Sequence, residues 1–92
     1  MEVAIEYVHT AFRHDCTKED IQHAVLNWLY DDLWDEETDK HLLIGFDRNG
    51  NTLEIMYNVV DDQKMKVFHA MPCRNIYLPL IDQRRSNARF NR

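Results

Sequence analysis

The chain has 92 residues and a mass of 11.1 kDa, with 45% hydrophobic and 29% charged side chains and a formal net charge of −5; this fits one small globular domain and excludes a second catalytic one. No uninterrupted apolar run exceeds three residues, Leu42–Ile44 being one of them, against the roughly 20 a membrane-spanning helix needs, so no membrane partner is expected. Residues 1–40 carry a net −8 and residues 41–92 a net +3, but the surplus lies in Arg84, Arg85, Arg89 and Arg92, and without that tail residues 41–81 are neutral, which excludes a broad polyanion-binding domain.

The first segment is ambiguous. Val3, Ile5 and Tyr7 alternate as in a strand, while Ala4, Val8, Ala11 and Phe12 follow a helical spacing, and the helical reading predicts a helix over residues 4–13. Thr17-Lys18-Glu19-Asp20 then offers a hydroxyl to the free amides of a new helix and puts acids in its first turn. From Lys18 on, Ile21, Ala24, Val25, Trp28 and Leu29 form an apolar stripe at helical period. Residues 31–40 are rich in acids around Leu33 and Trp34 and read as a solvated connection.

Beyond residue 40 the period changes to two. Leu42–Asp47 reads as a buried strand, Asn49-Gly50 as a hairpin turn, and Leu53, Ile55, Tyr57 and Val59 as the inward side of a second strand. Asp61–Lys64 makes another turn, and Met65–Met71 a third strand ended by Pro72. A short final helix is expected within Arg74–Ile81, and the Gln, Arg and Asn of residues 82–92 predict a disordered polar tail after a single domain over residues 1–81. The fold expected is therefore α+β: two N-terminal helices, a three-stranded antiparallel meander and a short C-terminal helix.

Five histidines and two cysteines raise the question of a metal, yet no pair has finger or ribbon spacing, and His9, His14 and Cys16 form the only local cluster. The only glycines are Gly45 and Gly50 and the only serine is Ser86, so phosphate-cradling loops and a serine nucleophile are missing. No metal and no cofactor are expected. Cys16 and Cys73 are expected as free thiols, and the N-terminal residues lack a basic segment followed by an apolar stretch, which points to a cytoplasmic address.

The stretch from His69 through Arg74 to Tyr77 places an imidazole at a strand end with a guanidinium and a phenol close behind. Cleaving RNA through its own 2′-hydroxyl needs a base for that proton, a cation for the charged phosphorane and an acid for the leaving oxygen, roles that such groups fill. The same residues serve equally as a sheet histidine, a surface charge and a core aromatic.

His14-Asp15-Cys16-Thr17-Lys18-Glu19-Asp20-Ile21 is similar to the basic-His-Gly-small-Ser/Thr stretch that opens the second helix of the BrnT-type toxins of the RelE/ParE superfamily, with Asp15 where that family has glycine. Phe46–Ile55 resembles their first hairpin, and Val67–Arg74 their last strand. The resemblance implies a toxin of a type II toxin–antitoxin module: a metal-independent endoribonuclease that inhibits translation, with a cognate antitoxin and RNA as partners. It also leaves gyrase open as a target and sets no oligomeric state. On that reading His69, Arg74 and Tyr77 are the catalytic candidates, and Arg48 and Lys66 the RNA phosphate-binding ones. The alternative is a non-catalytic protein-interaction module that keeps the toxin fold.

Overall fold

The computed structural model describes residues 4–82. Five strands, β1 (Ala4–Tyr7), β2 (Trp28–Asp35), β3 (Lys40–Phe46), β4 (Thr52–Asp61) and β5 (Lys64–Pro72), form one sheet in the order β1-β5-β4-β3-β2. β1 runs parallel to β5 and every other pairing is antiparallel. One helix, α1 (Lys18–Leu26), covers one face.

These observations correct the expected RelE/ParE-like fold in two places. Among the described residues there is no pair of N-terminal helices, because residues 4–7 form a strand, followed by a single 3₁₀ turn at His9–Phe12. The alternation of Ile5 and Tyr7 prevails over the weaker helical spacing because β5 offers a ladder from Ala4↔Lys64 to Tyr7↔Val67, and a short helix has no comparable tertiary support. Nor is the sheet a three-stranded meander. Residues 31–35 of the acid-rich segment read as a connection belong to β2, which pairs with β3 from Trp28↔Gly45 to Asp35↔Lys40, and only residues 36–39 form a turn. An edge strand needs only one ladder, and charged side chains on it discourage pairing with other chains, so its composition resembles that of a loop.

Helix α1 begins where its capping residue predicts: the Asp20 amide donates to Thr17 Oγ1 at 3.1 Å. Its stripe is shorter than expected, since the helix ends at Leu26 and passes through Asn27 into β2. Ile21, Ala24 and Val25 are buried against Leu43, Leu53, Ile55, Tyr57, Met65, Val67 and Ala70 of the sheet, with Ala11 closing the end of the core. Trp28, expected on the stripe, is instead 49% exposed. Ile21→Ala is therefore expected to cost about 2–5 kcal/mol and Trp28→Ala about 1–2. Equal losses in urea denaturation would place both residues in the core.

Leu42, Ile44 and Glu54 are also buried but stand on the sheet's other face, their cross-strand partners being Asp32, Tyr30, Met56 and Met71. The chain returns over this face after Pro72, through a 3₁₀ turn at Asn75–Tyr77 and helical residues 78–82, with the Tyr77 ring edge-on to Trp34 at 5.6 Å. The tail expected to be disordered lies, from residue 83 on, outside the described residues. Cys16 and Cys73 are free thiols.

Candidate active site

In β5, Met65 and Val67 point into the α1-side core, so strict alternation would send His69 there as well. A bulge intervenes. Tyr57 pairs with Val67 and Met56 with His69, leaving Phe68 without an opposite residue in β4. The extra residue inverts the faces beyond it: Ala70 takes the core position and His69 joins Met56 on the opposite side. The Phe68 carbonyl accepts the Thr10 hydroxyl at 2.6 Å, tying the N-terminal turn to the bulge.

On that side His69 meets Glu54, whose side chain is fully buried. His69 Nε2 lies 3.0 Å from Glu54 Oε2. Arg74 donates three hydrogen bonds to the same carboxylate: its amide and Nε to Oε1, both at 3.0 Å, and Nη2 to Oε2 at 2.7 Å. Burial on its own would raise the Glu54 pKa, but the bonds from Arg74 and His69 together outweigh it and hold the group below its ordinary 4.5. An ionised carboxylate only accepts, so His69 Nε2 carries the hydrogen. Its Nδ1 is left as the acceptor of the neutral ring.

Because the folded pKa of Glu54 is depressed, its contribution to stability is complete above about pH 4.5 and is lost as pH falls through the lower folded value. Glu54→Gln is expected to cost about 1–3 kcal/mol at pH 7, by leaving charged donors poorly matched. It should also flatten the decline in stability below pH 4.5, as followed by urea denaturation across pH. An unchanged acid limb would remove Glu54 from that role.

A hollow of about 290 Å³ opens beside His69, lined by Thr10, Arg13, His14, Met56 and Phe68. The His14 ring stands edge-on to His69 with centroids 5.7 Å apart. His69, His14 and Arg13 thus border one open space, with a buried carboxylate behind the His69 imidazole. No protein-family model, curated protein or solved structure matches the chain.

The residues singled out from sequence divide into two groups. His69, Arg74 and Tyr77 are joined through Glu54, since the Arg74 guanidinium also lies over the Tyr77 ring at 5.3 Å. Two of its three nitrogens face Glu54, which makes Arg74 a clamp on the carboxylate before it is a phosphate ligand. Lys66 is exposed on the His69 side, opposite Asn58. Arg48 lies elsewhere. Its Nε donates to Asp20 Oδ1 at 2.9 Å, at the start of α1, and this contact holds the Asp20 carboxyl down to about 2.

Glu54, Arg13 and the placing of His14 beside His69 were not legible as a site. Glu54 sits between Leu53 and Ile55 in an alternating strand, where outward polar residues are ordinary; a lone carboxylate amid buried strands was the available signal. His9 and Cys16 do not complete a metal site, and among the described residues no three His, Cys, Asp or Glu side chains come together as ligands. Among the described residues no helix is long and apolar enough to cross a membrane.

Proposed function

We propose that the chain is an endoribonuclease that works by acid–base chemistry and acts in the cytoplasm as the toxin of a toxin–antitoxin pair. The observation that carries this reading is the pair of imidazoles over one hollow, with Glu54 fixing the tautomer of His69. In the reaction, His69 Nδ1 takes the proton of the RNA 2′-hydroxyl, and the Glu54 carboxylate behind the ring stabilises the imidazolium that forms. The 2′-oxygen attacks phosphorus, and His14, entering as the imidazolium, donates its proton to the departing 5′-oxygen. Products are a 2′,3′-cyclic phosphate and a free 5′-hydroxyl.

Arg13 at the rim and Lys66 on the same face supply positive charge at the phosphate. The net charge of −5 does not oppose this, because its acids concentrate in β2 and the turn after it, away from the hollow. The toxin assignment is supported by the stretch beginning at His14. Asp15 has φ 65, in the left-handed region that favours glycine, where the BrnT-type motif has its glycine.

The test is to incubate the purified chain with single-stranded RNA in EDTA, and to induce it in bacteria without an antitoxin. Cyclic-phosphate ends and arrested growth are the expected results. Intact RNA together with normal growth would overturn the proposal and leave the non-catalytic interaction module.

A further inference from the structure

A second cavity, of about 270 Å³, opens on the α1 side of the sheet, across from His69. Val25, Leu43, Tyr57 and Met65, all buried members of the core, form its floor. Trp28, 49% exposed, and Val59, 48% exposed, stand at its mouth. Its rim is mainly acidic: Asp31 from β2, Asp61 at the end of β4 and Asp62 in the turn that follows, beside Gln63. Among the described residues that line it, Lys64 is the only cation, and its ammonium already lies 3.2 Å from Glu6. Asp31 accepts the Tyr57 hydroxyl at 2.6 Å, so the acid that spans floor and rim is fixed in place.

We infer that this cavity is a docking site for a basic segment of a protein partner, one apolar side chain of which enters between Trp28 and Val59 while flanking lysines or arginines meet Asp31, Asp61 and Asp62. Half-exposed apolar residues rimmed by charge mark interaction surfaces. An aromatic beside an apolar hollow is the common form of an energetic anchor. The sign of the rim chooses the occupant. A second copy presenting this same face would bring carboxylates against carboxylates, and an anionic ligand would meet the same repulsion. The site does not depend on the ribonuclease reading, since no residue of the hollow beside His69 takes part in it.

The experiment uses the full chain and a fluorescein-labelled lysine-rich heptapeptide with one central leucine. Anisotropy should report saturable binding, lost when the leucine is replaced by glycine or the lysines by glutamate, with amide shifts in NMR confined to residues around Val59 and 61–65. Val59→Lys should abolish it. The Asp61→Asn, Asp62→Asn double variant keeps side-chain oxygens for the turn and should weaken binding about five- to tenfold. Glu36→Gln with Glu37→Gln removes the same charge from another turn and should leave binding unchanged. Equal weakening by both double variants would reduce the effect to net charge and overturn the site, as would shifts mapping elsewhere. A gain in affinity on replacing Arg84, Arg85 and Arg89 by glutamine would assign the surface to the chain's own basic end and equally overturn it.

Discussion

On the proposed ribonuclease reading, His69→Ala is expected to slow RNA cleavage by about 10²- to 10⁴-fold, the usual contribution of a positioned acid or base. The imidazole is held from behind by a buried carboxylate that is itself gripped by Arg74, so its removal leaves no neighbour able to take the 2′-hydroxyl proton in the same geometry. His14→Ala should fall in the same range. The double variant should lose little more than either single one, because residues that act as a unit are not additive. His69 is partly exposed, and far-ultraviolet circular dichroism should show the variant folded. An unchanged cleavage rate in both single variants would discard this site even if the chain cleaves RNA.

Gly45→Ala should destabilise the chain by about 3 kcal/mol or more. A Cβ at Gly45 would fall on the carbonyl of Ala24, a backbone group in the last turn of α1, rather than on a flexible side chain. The helix has no room to withdraw, because its end is fastened to the end of β3: His23 Nδ1 lies 2.7 Å from the Phe46 carbonyl, and the Phe46 amide donates to the Asn27 carbonyl at 3.4 Å. At a strand glycine with open space above it, alanine would be stabilising by about 0.4–1 kcal/mol through the unfolded chain. The sign of the change in urea denaturation therefore decides whether helix and strand touch here.

The two expectations rest on different kinds of information. Gly45 could be read in advance as a strand glycine, but its neighbour across the core could not, because Ala24 is 21 positions away and only the crossing of α1 over β3 brings the two backbones together. His69 was legible as an imidazole near a strand end. The direction in which it points was not, since one unpaired residue at Phe68 reverses every side chain after it.

What the sequence determined by itself is local. The Thr17 cap satisfies a backbone amide within its own helix, and the spacing of Ile21, Ala24 and Val25 and the alternation along β4 each present one apolar side. The Asn49-Gly50 turn is local too, with Gly50 at φ 82 and the Asp47 carboxylate accepting the Asn49 and Asn51 amides. Tertiary structure decided the rest. β1 is a strand because β5 offers it a parallel edge, and β2 is a strand because β3 does, although its acids resemble those of a solvated loop. Glu54, His14 and the His69–Arg74 stretch come from three separate parts of the chain and meet only once the sheet has formed. Hydrogen-bonded ladders and buried charge contacts join residues distant along the chain, so no window of neighbouring residues contains the energies that select them.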